Sequence, residues 1–423
     1  MRTRRAVVIA TAVSTVLLAY SAISWAQVTP IRERGTDFSA SYVAALLLRG
    51  GDGAELYNQQ AEHARHLTLL PSGTVINLPF ITPPTTALLV LPLTFLDPGT
   101  AFRVWSMIEL ILLALGVWVA IRAGPWPSHI RRAPRAATLM IAVAAGGTYA
   151  FLLLGQIDGL TALGLGVAYA AWRKDRPGAA GFWMALAFAA TKPHLAVGLG
   201  IWLLARRDWQ ALAGAAAGCA LVASVSLALV GPGGIAGFVS ALSFAAGNTP
   251  GASTLGVPGM VASWLGSGSG AVIVGLAGSV IALAGCALLG ARSRWRPGAL
   301  EASLAGAAAL SLVASPHLLP HDLVILAPAF AWCMARAAAA ESGTWPGLAT
   351  IRVIAAWTVL AVLTLVDTGN AAPAPPGRLV PLGLLAIGVA ALLTTASRTR
   401  AGNPGRVAFA QSGSGSGAGG STA

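Results

Sequence analysis

The sequence predicts an all-α polytopic membrane protein of about twelve transmembrane helices, and three observations carry that prediction. First, 56% of its 423 residues are hydrophobic and only 10% are charged, with a mean hydropathy of +0.73. A soluble domain carries roughly 25% charged residues, so this chain has too few to cover a water-facing surface, and a soluble globular fold is excluded. Second, twelve apolar runs of near-spanning length recur along the chain. Third, the charges sort to opposite sides when those runs alternate across a bilayer.

The runs, in order, are 6–25, 100–121, 136–154, 159–172, 178–190, 194–205, 210–230, 270–290, 298–314, 322–335, 352–366 and 378–396. Twelve spans of about 20 residues use roughly 240 residues, which leaves the remainder for loops. The first run follows the basic stretch Met1–Arg5. A cleavable signal peptide competes with a retained span there, because Ser24-Trp25-Ala26 is a passable cleavage site, although the apolar region is at the long end for one. Either reading delivers the next segment to the outside.

With an inner N-terminus, 20 of the 27 basic residues and four of the 14 acids fall inside, leaving +16 there. Six basic residues and nine acids fall outside, leaving −3, and Arg103 and Glu109 share the second span. The net charge of +13 thus reports topology under the positive-inside rule, and no nucleic-acid partner is expected. Both termini are placed in the cytoplasm, in a cell inner (plasma) membrane.

The segment Pro83 to Leu96 (PPTTALLVLPLTFL) is too short to cross and is interrupted by Pro92. Counting it as a span would invert the charge pattern downstream, so it is expected to be interfacial or re-entrant on the outer face. Glu55 to Leu67 is expected to form a polar surface helix in the same loop. Residues 1–400 are the membrane domain, with 27–99 as the first outer loop. Residues 401–423 form a tail, Gly/Ser-rich from Ser412 onward, that is expected to be disordered. Cys219, Cys286 and Cys333 lie inside spans without CxxC spacing and read as small core residues. No Walker P-loop supports nucleotide chemistry, and no metal or cofactor is expected.

Short basic inner loops offer little chemistry, whereas the outer face carries five of the six histidines and most of the acids. Ionisable groups at span ends are functional candidates by default. Four clusters gather there. Arg34-Gly35-Thr36-Asp37-Phe38-Ser39 leads into Tyr42; Asp37 is either a helix N-cap or a general base for a hydroxyl nucleophile. Gly155-Gln156-Ile157-Asp158 is either a turn or a hydroxyl-binding loop. Thr191-Lys192-Pro193-His194 carries the sole outside lysine, which either snorkels or compensates phosphate charge. Ser315-Pro316-His317-Leu318-Leu319-Pro320-His321-Asp322 is a structural turn or a loop orienting an acceptor or phosphate; its prolines argue against the helix that a zinc pair at this spacing would share. Within the second span, Arg103 either pairs loosely with Glu109 or grips phosphate.

Taken in order, these stretches resemble the GT-C-type membrane glycosyltransferases, and most of all glycosyltransferase family 87. The resemblance rests on Thr36-Asp37-Phe38 with Tyr42, Pro83-Pro84 to Leu91-Pro92-Leu93, Trp105, Gly155-Gln156, Ala190-Thr191-Lys192-Pro193, Arg206-Arg207-Asp208-Trp209, and Ser315-Pro316 to His321. It covers residue 36 to about 330. His317 and Asp158 depart from the family pattern, an apolar residue and Asn being commoner at those positions. The resemblance implies a polyprenyl-phosphate sugar donor, mannose by analogy, and a glycolipid or envelope-glycan acceptor at the outer face. It makes Asp37 the base of an inverting displacement and His321 a second active-site group. Lys192, Gln156, Arg103, His317 and Tyr42 are then substrate contacts. The rival readings are a multi-span transporter or lipid flippase, whose sites usually lie at the midplane in repeated halves, and a non-catalytic scaffold.

Overall fold

A computed structural model describes residues 2–29, 32, 34–69, 78–130, 132–248, 253–294, 296–341, 347–369 and 378–397. Helix is what an apolar chain must form in lipid, because it satisfies every backbone N–H and C=O internally. The structure is 83% helix, with 17 α-helices and no strand among the described residues. The 401–423 tail lies outside them.

The order is α1 (Arg2–Ala26), α2 (Asp37–Arg49), α3 (Gln59–Leu67), α4 (Pro84–Val90), α5 (Pro98–Ala123), α6 (Arg132–Val143), α7 (Thr148–Leu154), α8 (Asp158–Arg173) and α9 (Pro177–Thr191). It continues through α10 (Val197–Arg206), α11 (Trp209–Asn248), α12 (Val257–Leu265), α13 (Ser269–Arg294), α14 (Leu300–Ala314), α15 (Ala327–Ala339), α16 (Leu348–Gly369) and α17 (Val380–Ser397). Each of the twelve apolar runs falls on one or more of these helices. Six helical stretches are long and apolar enough to cross a bilayer alone, and a seventh if α6 and α7, bent by 57° at their break, make one broken span. Four more apolar helices, Pro84–Phe95, α9, α14 and α17, are shorter.

Burial separates the lipid-facing helices from the centre. Only 17% of the most apolar window of α1 and 28% of that of α13 are buried, against 78% for Pro320–Ala339. In α14 every residue but Ala302 is buried. The central helices carry Ala, Gly and Ser where water-soluble helices would carry bulk. In a membrane, close backbone approach through small residues replaces hydrophobic collapse as the packing force. The α5–α8 contact shows it: a Cβ on Gly116 would meet the Ala162 carbonyl, and one on Gly166 would overlap the Gly116 carbonyl. The 210–230 run ends where α11 breaks, at Gly231 with φ 67°, followed by Pro232.

The first loop packs onto this bundle. Leu91–Phe95 continues α4 as a 3-10 turn around Pro92, and Leu88, Leu89 and Phe95 stay exposed as a short apolar edge. Thr85 and Thr86 both donate to the Ala190 carbonyl at the end of α9, at 2.9 and 3.2 Å. The segment is thereby stitched to the site described below. The polar helix begins at Gln59 rather than Glu55, because Asn58 caps it by accepting from the N–H groups of Gln60 and Ala61. One of its faces is buried, contrary to a solvated surface helix. Glu62 accepts from the Phe80 N–H at 2.8 Å, and His66 Nε2 meets the Ser39 hydroxyl at 3.2 Å. Burial pushes the Glu62 carboxyl up to about 8 and holds His66 below the ordinary histidine value.

Candidate active site

Five helix ends or turns converge where the polar clusters meet. Thr36 takes the N-cap position of α2, so Asp37 is its first helical residue and not its cap. Phe38, one residue on, packs edge-on to Phe102 and beside Trp105, which anchors the start of α2 against α5. Opposite, α7 ends at Gly155 in the left-handed conformation, φ 63°. The Trp105 indole N–H holds the Gly155 carbonyl at 3.0 Å. A Cβ on Gly155 would press on Phe38 Cβ at 2.8 Å and on the Phe102 ring at 3.0 Å. Glycine therefore meets two demands here, positive φ and close approach, and the turn it makes delivers Gln156 to Asp37.

The Gln156 side-chain N–H donates to Asp37 Oδ2. Its oxygen accepts from Lys192 Nζ at 3.1 Å. Lys192 also lies 2.9 Å from Asp158 Oδ1 and 2.6 Å from Asp322 Oδ1. His321 Nε2 follows at 3.5 Å from Asp322. The five groups Asp37, Gln156, Lys192, Asp322 and His321 thus form one continuous chain, with Asp158 as a branch.

Local structure explains each placement. Asp158 opens α8, where a carboxylate complements the helix N-terminus. Lys192 follows the last residue of α9, whose end is tied to α8 by the Thr161–Thr191 hydroxyl contact at 2.8 Å. Asp322 sits in the 3-10 turn Pro320–Leu326, and its other oxygen accepts from the Leu319 N–H at 2.6 Å. Below them, Glu109 of α5 accepts from the Leu160 N–H at 3.0 Å, filling a second donor at the head of α8.

Accessibility divides the cluster. Gln156, Asp158, Lys192, His321 and Asp322 are all buried, whereas Asp37 is partly exposed. Burial still raises the Asp37 carboxyl above its ordinary value, while Lys192 and the Gln156 hydrogen bond pull it back down. The ammonium of Lys192 has three N–H donors and no acceptor, and Gln156, Asp158 and Asp322 match all three. Asp158, His321 and Asp322 offer ligand atoms within 4.8 Å of one another, but the cation of this cluster is the ammonium. His321 Nδ1 is buried without a hydrogen-bond partner.

The remaining candidates have other partners. The Arg103 guanidinium donates to the carbonyls of Trp25 and Val28 and stacks over the Trp25 ring, 4.8 Å from its centroid. It thus fastens the end of α1 to α5. The Tyr42 hydroxyl donates to the Leu96 carbonyl at 2.9 Å, fixing α2 to the end of the Pro84–Phe95 segment. The His317 ring lies T-shaped to that of His194, centroids 6.1 Å apart, and burial holds it below the ordinary histidine value. Sequence reasoning brought together four members of the network, Asp37, Gln156, Lys192 and His321. It passed over Asp158 and Asp322 as site residues, although each stands within two residues of a chosen one.

A partly exposed carboxylate, held by an amide and backed by a buried ion triad, suits proton abstraction from a hydroxyl. Comparison with curated proteins and with solved structures yields no match. The family model of glycosyltransferase family 87 matches residues 80–316, a stretch that contains Gln156, Asp158 and Lys192 and ends at the turn leading to His321. That stretch is more than half of the chain, and the chain belongs to glycosyltransferase family 87.

Proposed function

We propose that the protein is a GT-C-type hexosyltransferase that moves a sugar, mannose by family analogy, from a polyprenyl-phosphate donor to a hydroxyl of a lipid-linked or envelope-glycan acceptor. The reaction takes place at the outer face of the cell's inner membrane, in a chain that crosses about twelve times with both ends in the cytoplasm. The observation that carries this reading is the partly exposed Asp37 carboxylate at the end of a buried polar chain. Family membership supports sugar transfer over transport.

The displacement is a single step. Asp37 takes the proton of the acceptor hydroxyl as its oxygen bonds to the anomeric carbon. The bond from that carbon to the phosphate oxygen breaks on the opposite face, its electron pair stays with the phosphate, and the configuration inverts. His321, whose Nδ1 is buried and unpartnered within the protein, is the second active-site group, on the side of the departing phosphate. The fixed charge of Lys192 stabilises it through space. Gln156 positions the base, and His317 borders the site for the acceptor. The exposed apolar edge of α4 and the turn after it, Leu88, Leu89 and Phe95, faces lipid beside the site and guides the polyprenyl chain.

The test is transfer of label from radiolabelled polyprenyl-phosphate mannose to membrane glycolipid by the purified protein. Asp37→Ala is expected to abolish transfer while the protein inserts and unfolds like the wild type. Near-normal transfer by that variant would sink the assignment of the base. Movement of the labelled lipid between leaflets without any sugar transfer would favour the flippase.

A further inference from the structure

The polarity of the hydrogen-bond chain behind Asp37 is fixed from its far end. An ammonium can only donate, so the side of Gln156 that faces Lys192 must be its carbonyl oxygen, as found at 3.1 Å. The other side, the NH2, then necessarily faces Asp37. Lys192 is held in place by Asp158 and Asp322, at 2.9 and 2.6 Å, in surroundings that leave both carboxylates buried.

We propose that the Asp158–Lys192–Asp322 triad is a positioning device, whose ammonium turns the Gln156 amide so that its NH2 holds Asp37 as a hydrogen-bond acceptor aimed at the incoming hydroxyl. This inference rests on the reading of Asp37 as the base. It gives Asp158 and Asp322 a role that needs no contact with substrate, and it makes Lys192 and Gln156 positioning residues rather than phosphate or sugar ligands.

The consequence is a pH dependence. A donor aimed at Asp37 favours the ionised form; an acceptor in its place favours the protonated form. Burial already pushes Asp37 toward protonation, so the amide works against burial. The charged groups acting on it are Lys192 from the end of α9 and Asp322 from the Pro320–Leu326 turn; Asp158 at the head of α8 and His321 of that turn adjoin these two, Glu109 of α5 binds the head of α8, and His66 of α3 meets Ser39 of α2. Lys192 favours the ionised form of Asp37, and Asp322 opposes it.

The experiment compares wild type with Gln156→Met and Gln156→Glu. Methionine keeps the length of the side chain and removes both polar ends. Glutamate offers an oxygen to Lys192 and another oxygen to Asp37. Two quantities are read across pH 5–9: the acid limb of kcat/KM for transfer from labelled polyprenyl-phosphate mannose, and the titration of the Asp37 carboxyl infrared band, identified by its loss in Asp37→Ala. Unfolding midpoints check that each variant folds.

Both quantities are expected to move up by about one pH unit in Gln156→Met, the size of one lost charge-assisted hydrogen bond in partly wet surroundings. They move further in Gln156→Glu. An unmoved Asp37 band in either folded variant would overturn the positioning role. A loss of rate equal at every pH, or a rise in KM alone, would make Gln156 a substrate contact and overturn it too. A moved band with transfer that survives Asp37→Ala leaves the triad standing and removes the base, so the two failures are distinct. The infrared titration needs no substrate, and it decides the question whatever sugar the donor carries.

Discussion

Replacing Lys192 with methionine tests how the site is held together. The side chain keeps nearly its length, but the ammonium between Asp158 and Asp322 is gone. Both carboxylates are buried, and each lies within hydrogen-bond distance of the lost nitrogen. Removing one partner of a buried ion pair costs about 3–5 kcal/mol, because the other charge stays desolvated and uncompensated. Two facing carboxylates place the estimate at the upper end, less whatever is recovered when one takes up a proton. Adding Asp322→Asn removes one of those charges and leaves an amide oxygen for the Leu319 N–H that Asp322 now satisfies at 2.6 Å. The double variant is therefore expected to be more stable than Lys192→Met alone, by about 1–3 kcal/mol. The assay is unfolding in detergent followed by tryptophan fluorescence, the 13 tryptophans giving ample signal. Lys192→Met should lower the midpoint by several degrees and abolish transfer, and the second substitution should recover the midpoint without the activity. If Lys192→Met unfolds with the wild type, or if Asp322→Asn makes it worse, the ammonium is not the counterion that binds these elements.

Two other substitutions follow from the same structure. Gly155→Ala must hold alanine at φ 63° and push its Cβ against Phe38 and Phe102; left-handed backbone costs roughly 1–2 kcal/mol, and a displacement near 1 Å at Gln156 or Asp37 is worth about 10²-fold in rate, so transfer should fall by that order and the midpoint modestly. Wild-type transfer by Gly155→Ala would show that the turn does not set the geometry of Gln156. Glu62→Gln addresses pH. The folded value of Glu62 is raised to about 8 from an ordinary 4.5, so the folded state binds its proton more tightly, and stability is full below about 4.5 and lost as pH rises toward 8, at a slope of up to about 1.4 kcal/mol per pH unit. Glu62→Gln keeps an acceptor for the Phe80 N–H and should flatten the midpoint between pH 5 and 8; an unchanged slope would place the titration elsewhere.

What the sequence made legible depended on the kind of signal. Apolar runs are long-range averages, so all twelve turned up in helices; the continuation of α11 past Gly231 to Asn248 and the break of the 136–154 run into α6 and α7 are local events and did not read through. Charge asymmetry put four polar clusters on one face, and the structure joins members of all four through Gln156, Lys192 and Asp322. Their pairing was invisible because it joins separate helix ends and turns, 119 residues apart from Asp37 to Gln156, 36 from Gln156 to Lys192 and 130 from Lys192 to Asp322. Nothing local in the sequence shows that Arg103 reaches carbonyls; its contacts to Trp25 and Val28 come only with the fold. Glu62 and His66 looked solvated for the same reason. Helical periodicity shows which residues share a face, but not that Phe80 and Ser39 cover it.

The proposed displacement moves charge without creating it. Asp37 begins with one negative charge and ends neutral, while the donor phosphate begins with one and ends with two. The site has only to shift one negative charge from the acceptor side to the leaving side. In a low-dielectric interface that shift is governed by the fixed charges around it. Lys192 is the one cation of the network, and it cannot follow the charge, since Asp158 and Asp322 hold it. A mobile lysine would track the phosphate and pay reorganisation in every turnover, whereas a clamped one leaves its field in place before the donor arrives, which is the condition for electrostatic preorganisation. The same clamp explains why a chain with 10% charged residues keeps three of them buried together: two carboxylates fix the ammonium, the ammonium fixes the amide, and the base at the open end is left to take the proton.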